Sequence, residues 1–233
     1  MKSLTVIQHT SADYLGLIED HLEGRRIRFT YHRPFTEAGK PPTSAELGDG
    51  LVLLGGGPWG SAGSRDVPTL EAEITLARAA LMIGLPVIGI GLGAQILAIA
   101  ADGRSAARDL RFDICQAART APGALNGYLP EQFPCVTYMR DRPVPPDYAQ
   151  ILAEDSEGYP AVFQIGGNVF GFTGHPGFKA GMAEDLIMEF EEAPDNTGPA
   201  LGQLRAMKTE IEDALVPIMT GIVQLTGLMQ AED

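Results

Sequence analysis

The sequence has few cysteines, few basic residues and few aromatic side chains. Its 233 residues include two cysteines, 17 lysines and arginines against 30 aspartates and glutamates, and 7% aromatic residues. Cys115 and Cys135 are too few for a disulfide framework or a zinc cluster, so we expect reduced thiols in a cytoplasmic protein. A net charge of −13 opposes binding to a phosphate backbone, so we expect no nucleic-acid partner.

One uncharged stretch is long enough to cross a bilayer. Residues 79–101 carry no charged side chain, and about 20 apolar residues span a hydrocarbon core. Pro86 and four glycines interrupt the stretch, and these residues break helices. We therefore expect a helix end, a buried strand, a tight turn and a new helix, and no membrane partner. The apolar run after Lys2 is too short for a signal peptide.

Strand-like and helix-like segments alternate through the first hundred residues. Asp66 and Pro68 suit the start of a helix, because Asp caps helices and Pro fits the first turn. The alternation predicts an α/β fold with a doubly wound, mostly parallel open sheet flanked by helices. Strands are predicted at residues 3–8, 27–31, 50–54 and 85–90, and helices at residues 14–22, after Pro68, and at residues 94–101.

The second half of the chain is less regular. Further strands are predicted at residues 135–139, 149–153, 161–165 and 168–173, with a hairpin turn at Gly166-Gly167. A helix at residues 178–192, a polar linker at 193–199 and a last helix that Pro217 interrupts complete the pattern. We therefore expect an α/β domain at residues 1–192 and a helical tail at residues 193–233. The tail packs on this domain or on a partner subunit, so a homo-oligomer is possible.

The segment VIGIGLGAQILA, at residues 87–98, has the layout of a nucleophile elbow. A buried strand ends at Ile90, a glycine-bearing turn follows at Gly91, and a helix starts within a few residues. The N-terminus of that helix favours negative charge. This layout predicts a site above the carboxyl edge of the sheet.

The segment resembles the elbow of the class I glutamine amidotransferases, G-[IV]-C-x-G-x-Q, with Gly91 in place of the nucleophilic cysteine. LLGGGP, at residues 53–58, resembles the family's glycine loop, and GFTGHPG, at residues 171–177, resembles its G-x-Q-x-H-P-E motif. In the latter, His175 and Pro176 match, while Thr173 replaces Gln and Gly177 replaces the acid. The resemblance spans roughly residues 4–186. The matching elbow positions are Gly89, Ile90, Leu92, Gly93, Ala94 and Gln95.

The resemblance implies a reaction. In the family, a thiolate attacks the glutamine amide, the histidine carries the proton, and the glutamate orients the histidine. Two backbone N–H groups, here expected at Gly57 and Leu92 beside Gly56, would hold the oxyanion. Gln95 would line a pocket for glutamine or a similar small molecule. The ammonia would pass to a separate acceptor or synthetase subunit, because we expect no synthetase domain after residue 190.

Two of the three catalytic positions are vacant. Gly91 cannot form a thioester, and Gly177 cannot orient His175. We therefore expect a protein without glutaminase activity that binds a ligand or works as a subunit of a complex. Neither Cys115 nor Cys135 follows an elbow, so neither is expected to replace the missing nucleophile. No cofactor and no metal are implied.

Two alternatives stay open at this stage. The first is a hydrolase or lyase that uses the retained oxyanion amides and His175. The second is a nucleotide-binding module, because Gly89, Gly91 and Ala94 also satisfy G-x-G-x-x-A between a strand and a helix. His175 itself is either a structural histidine or a ligand-binding one. Trp59 is either a lid or packing.

The other three histidines show no metal-ligand spacing. We expect them to be surface or loop residues. They are His9, His21 and His32.

Overall fold

The computed structural model describes residues 1–36 and 39–229. Within those ranges, no helix combines the length and the apolar character that a bilayer-spanning segment needs. The strands are β1 (Ser3–Ile7), β2 (Arg28–His32), β3 (Gly50–Leu53), β4 (Val87–Ile90), β5 (Arg104–Ala106), β6 (Arg111–Arg119), β7 (Gln132–Met139), β8 (Arg142–Val144), β9 (Gln150–Glu154), β10 (Pro160–Ile165) and β11 (Val169–Phe172). The helices are α1 (Ile18–Gly24), α2 (Leu70–Met82), α3 (Leu92–Ala100), α4 (Ala180–Glu189), α5 (Thr197–Ala206) and α6 (Lys208–Leu225).

Nine strands form one open sheet in the order β2-β1-β3-β4-β11-β10-β9-β6-β7. The pairings from β2 to β11 are parallel, and those from β11 to β7 are antiparallel. Strands β5 and β8 pair separately. Helices cover both faces of the parallel half, which confirms the predicted open, doubly wound α/β fold.

The central strands are apolar on both faces because both faces are covered. Val6 and Val52 pack in the core that includes residues of α1 and α6. Ile7 and Leu53, which point to the opposite face, pack with residues of α2 and α3. This alternation explains why β3 and β4 are continuous apolar runs in the sequence.

The carboxyl ends of β1, β3, β4 and β11 meet at one edge of the sheet, since these strands are parallel. Chain order reverses between β1 and β3, and ligands of open α/β sheets bind at such switch points. The loops at this edge carry residues 8–17, 54–69 and 173–179, together with the turn at Gly91. These segments form the candidate site.

Two predicted helix starts are wrong. Helix α1 begins at Ile18 and not at Tyr14, because Gly16 turns the backbone at φ 62° just before it. Helix α2 begins at Leu70, and Asp66 does not cap it. Instead, a carboxylate oxygen of Asp66 accepts a hydrogen bond of 2.7 Å from the N–H of Gly63. In both cases the residue lies in a structured loop before the helix: the positive φ of Gly16 makes the turn before α1, and the side chain of Asp66 binds the loop before α2.

The predicted break between the last helices is also wrong. It lies at Met207, whereas Pro217 lies inside α6. The linker is shorter than predicted, since α5 already begins at Thr197. Leu215 and Ile218, on either side of the proline, are buried in the same core as the parallel strands. Tertiary packing therefore outweighs the loss of one helical N–H donor.

Candidate functional site

The turn at Gly91 has the backbone of an elbow and carries no side chain. Its φ of 57° and ψ of −114° lie in a region that strains residues with a β-carbon. The N–H of Gly91 donates to the carbonyl of Phe172 at 2.9 Å, and that of Gly93 donates to the carbonyl of Leu54 at 3.0 Å. Neighbouring strands therefore hold the turn without help from any side chain at residue 91.

The space above Gly91 is small. A β-carbon built on Gly91 would meet only the Cα of Gly55, at 3.4 Å, which is an ordinary contact. The cavity over it measures about 10 Å³ and is lined by Asp13, Thr173 and His175 among others. Such a volume holds about one water molecule. The space directly above Gly91 therefore has room for one small side chain or one water molecule.

The glycine loop lies against the first turn of α3. A β-carbon on Gly56 would lie 2.5 Å from Cδ2 of Leu92. Gly57 has a φ of 56° and faces α4, since a β-carbon there would lie 2.9 Å from Leu186. The two segments expected to supply oxyanion amides are thus adjacent. Their role as donors stays a prediction.

Both ring nitrogens of His175 are bound to the backbone. Nε2 donates to the carbonyl of Tyr14 at 2.8 Å, and Nδ1 accepts from the N–H of Gly177 at 3.1 Å. The ring is buried and packs edge-on against Phe178, with 5.6 Å between ring centroids. Burial lowers the pKa of His175 to about 4. The imidazole is therefore neutral, with its proton on Nε2.

The position of the missing acid is filled by the start of α1. A β-carbon on Gly177 would lie 3.0 Å from the backbone N of Ile18 and 3.2 Å from that of Leu17. The carbonyl of Gly177 accepts a hydrogen bond of 2.9 Å from the N–H of Leu17. This close approach leaves no room for a glutamate side chain.

Gln95 is buried and ties three segments together. Its Oε1 accepts from Oγ of Ser61 at 2.6 Å, and its Nε2 donates to the carbonyl of Arg140 at 2.8 Å. Asp141 completes this network, because one of its oxygens accepts from the N–H groups of Ser61 and Ala62. The amide expected to line a ligand pocket thus anchors the loop after the glycine segment. Sequence reasoning did not single out Asp141.

Asp13 is the functional residue that the sequence analysis missed. Its carboxyl is buried, and within the described residues Oδ1 has no hydrogen-bond partner. Oδ2 lies over Gly55, where a β-carbon would come within 2.1 Å of it. Burial and the charge of Glu189 raise the pKa of Asp13 to about 7, although His9 opposes the shift. Asp13, with one carboxylate oxygen unpartnered among the described residues, thus lines the same cavity as Gly91.

His9 lies in the loop after β1, which the expectation of a surface or loop residue allows, but its side chain is not on the surface. Its ring is buried, with Nδ1 donating to the carbonyl of Gly55 at 3.0 Å and Nε2 lying 2.7 Å from Oε2 of Glu73. Burial alone would lower the pKa of His9, but the charge and hydrogen bond of Glu73 raise it. Glu73 lies in the helix that the sequence predicts after Pro68, so the sequence shows a candidate partner. Only the fold brings its carboxylate to His9.

Trp59 lies next to the glycine loop and is half-buried. Its backbone N–H donates to the carbonyl of Gly56 at 3.1 Å, and the Arg65 guanidinium lies 5.1 Å from its ring centroid.

Within residues 1–36 and 39–229, no group of acidic, histidine and cysteine side chains is arranged to hold a metal ion.

Comparison with known proteins gives structural matches alone. No protein-family model and no curated protein matches the chain. A glutamine amidotransferase from Methylobacillus flagellatus aligns with a TM-score of 0.81 at 20% identity, over 100% of this chain and 97% of that one. One from Thermotoga maritima gives 0.79 at 19% identity, over 97% and 98%. A putative GMP synthase component from Thermoplasma acidophilum gives 0.56 at 18%, over 90% and 98%.

Proposed function

We propose that this chain, which has the fold of the glutamine amidotransferases, has no glutaminase activity and acts as a ligand-binding subunit of a complex. The observation that carries the proposal is the elbow at Gly91. The backbone there keeps the strained conformation in which such enzymes hold a nucleophile, yet residue 91 offers no atom that could form a thioester. A retained scaffold without its nucleophile supports binding rather than glutamine hydrolysis.

The other two catalytic positions support the same conclusion. A general base needs a free nitrogen within reach of the proton that it takes. In His175 one nitrogen donates to Tyr14 and the other accepts from Gly177. With a pKa near 4, this imidazole is also a weak base at neutral pH. We assign His175 a structural role, in which it joins two loops at the edge of the sheet.

The partner that we propose is a separate protein chain. One protein of similar structure is described as a putative subunit of GMP synthase. By analogy, this chain would bind a glutamine-like molecule and act on, or respond to, a synthetase partner. The two free thiols fit a cytoplasmic location.

A nucleotide-binding role is less favoured. A phosphate at the start of α3 would need a positive environment. The carboxyl of Asp13 lines the cavity there instead. We therefore do not propose dinucleotide binding at the G-x-G-x-x-A segment.

The test is the release of ammonia from glutamine by the purified protein. We expect no release above the buffer rate, because the nucleophile is absent. Cys115→Ser and Cys135→Ser serve as controls for a displaced thiol. Clear turnover that survives both substitutions would overturn the proposal. Binding of glutamine, measured by calorimetry on the same sample, separates a ligand-binding protein from an inert scaffold.

A second candidate function is hydrolysis with Asp13 as the base. It is favoured by the unpaired, buried carboxyl beside Gly91, whose pKa near 7 suits proton transfer at neutral pH. The sequence analysis left open a hydrolase or lyase that uses His175, and in this candidate Asp13 is the base instead of His175. Screening small amides and esters tests it. Activity that Asp13→Asn abolishes, and that Asp147→Asn on an exposed turn leaves intact, would support it.

A further inference from the structure

The two cysteines of the chain face each other on neighbouring strands. Cys115 on β6 is directly opposite Cys135 on β7 in the antiparallel register. Opposed residues in such a pair share a face of the sheet, with Cα atoms about 4.5 or 5.5 Å apart. Disulfides span Cα distances of about 4.4–6.8 Å. Both thiols are free, so the register places an unbridged dithiol at bonding distance.

The surroundings make one of these sulfurs a thiolate. Cys115 lies opposite Cys135 and lines one cavity with Ser156, and these two polar neighbours favour its ionised form. They lower the pKa of Cys115 to about 6, although burial and the charge of Asp155 oppose the shift. The interaction with Cys115 and burial raise the pKa of Cys135. Near neutral pH the pair therefore consists of one thiolate and one thiol.

The pair lines a cavity that is open to solvent and adjoins the space above Gly91, with which it shares Thr137, Met139 and Thr173. This cavity has a volume of about 260 Å³, and its walls include Arg108, Ser156 and Gln203. Cys115 is half-buried at the cavity, and Cys135 is buried behind it. Since one water takes about 30 Å³, the cavity admits a small polar reactant together with several waters.

We propose that Cys115 and Cys135 form a reactive dithiol, which a small hydroperoxide entering this cavity oxidises to an intramolecular disulfide. The Cys115 thiolate attacks the terminal peroxide oxygen. An S–O bond forms, the O–O bond breaks, and the alkoxide takes a proton and leaves as an alcohol, or as water when the oxidant is hydrogen peroxide. Sγ of Cys135 then attacks Sγ of Cys115. The S–S bond forms, and hydroxide leaves with the Cys135 proton as water. The two thiols lose two electrons, and the peroxide gains them.

The dithiol lies against the segment that carries His175. Sγ of Cys135 lies against Gly174, since a β-carbon built on that glycine would come within 2.7 Å of it. The N–H of His175 donates to the carbonyl of Val136 at 2.8 Å. The disulfide would therefore form one residue away from a loop of the elbow site. The proposal uses residues and a cavity that the proposed function does not need, so either can fail alone.

The test uses the reduced full chain exposed to hydrogen peroxide. We expect the intact mass to fall by two hydrogen atoms, both free thiols to disappear, and the chain to stay monomeric on a non-reducing gel. Because the chain has two cysteines, this result identifies the bond. Dithiothreitol should restore both thiols. Retention of both thiols, addition of oxygen without loss of the second thiol, or a disulfide between chains would overturn the proposal.

Single substitutions assign the two roles. Cys135→Ala should leave a sulfenic acid on Cys115 that dimedone traps. Cys115→Ala should leave Cys135 at least about tenfold less reactive, because it stays protonated and buried. Ser156→Ala, which removes a polar side chain beside Cys115, should slow alkylation of Cys115 by iodoacetamide about threefold at pH 7. Equal reactivity of the two cysteines would contradict the assignment, and the wild-type mass measurement decides the bond itself.

Discussion

Nε2 of His175 donates a hydrogen bond to the backbone carbonyl of Tyr14 across 2.8 Å. This bond joins the loop after β11 to the loop after β1, directly above the elbow. A histidine that matches the catalytic residue of an enzyme family thus serves as a crosslink. Its chemistry follows from that role, because a buried ring with both nitrogens occupied is stable only when neutral.

The pKa of His175 predicts a loss of stability in acid. The pKa is about 4 in the fold and near 6.5 in the unfolded chain, so the unfolded chain binds more protons between these values. The stabilisation is complete above pH 6.5 and is lost as the pH falls towards 4. We expect the stability advantage of wild type over His175→Asn to shrink by about 2–3 kcal/mol between pH 7 and pH 4. Urea unfolding at the two pH values measures this difference. An NMR titration midpoint of His175 at or above pH 6.5 would contradict the prediction.

Asp13→Asn is expected to stabilise the protein, and more so at high pH. The folded pKa of about 7 lies above the ordinary value of 3.8, so the fold favours the neutral acid. Wild type therefore loses stability as the pH rises from about 4 to 7, and asparagine does not. We expect a gain on the order of 2 kcal/mol at pH 8 and a smaller one at pH 5. The exposed control Asp147→Asn should change stability by less than about 0.5 kcal/mol. A larger gain at pH 5 than at pH 8 would show that Asp13 is charged in the fold.

Alanine at three glycines separates backbone strain from lack of space. Gly91→Ala meets room for its methyl group but a strained backbone, so we expect a cost of about 1–3 kcal/mol. Gly84→Ala, at φ 71° with open space around it, should cost about 1–2 kcal/mol. Gly93→Ala would place a β-carbon 1.9 Å from the carbonyl oxygen of Leu53 and should cost more than either. Thermal unfolding ranks the three, and a harmless Gly93→Ala would refute the close packing of α3 on β3.

Introducing a cysteine at residue 91 and a glutamate at residue 177, as in the glutamine amidotransferase motif, is not expected to produce glutamine hydrolysis. Gly91→Cys should fold, whereas Gly177→Glu should destabilise the protein by more than about 3 kcal/mol, because its side chain meets the start of α1. The double variant should release no ammonia and give no adduct with a glutamine-like electrophile in intact-mass analysis. A stable double variant that hydrolyses glutamine would mean that the pocket opens further than this cavity allows.

The buried pair of His9 and Glu73 should be costly to break. Glu73→Ala leaves a buried imidazolium without its partner, and we expect a loss of about 3–5 kcal/mol. Glu73→Gln keeps the shape and removes the charge, so its cost is smaller. The folded pKa of His9 is raised, so the stabilisation is complete below pH 6.5 and is lost as the pH rises through the folded value. The deficit of Glu73→Gln should therefore shrink on going to alkaline pH in urea titrations, and a constant deficit would contradict the charged pair.

The sequence alone determined the parallel half of the sheet and the elbow. Continuous apolar runs at β3 and β4 and the glycines at 89 and 91 are local signals, since strand burial and turn geometry are set within a few residues. The glycines at residues 91 and 177, where the resembled motif has cysteine and glutamate, could likewise be read directly from the sequence.

Tertiary structure alone decided what surrounds those positions. Asp13 and Gly91 line one cavity because the loops after β1 and β4 share one edge of the sheet. The contact between His9 and Glu73 joins residues 64 positions apart. The charge of a buried carboxyl or imidazole depends on how well several loops together exclude water from it. No local sequence pattern encodes that exclusion, so only the fold determines the charge state of the site.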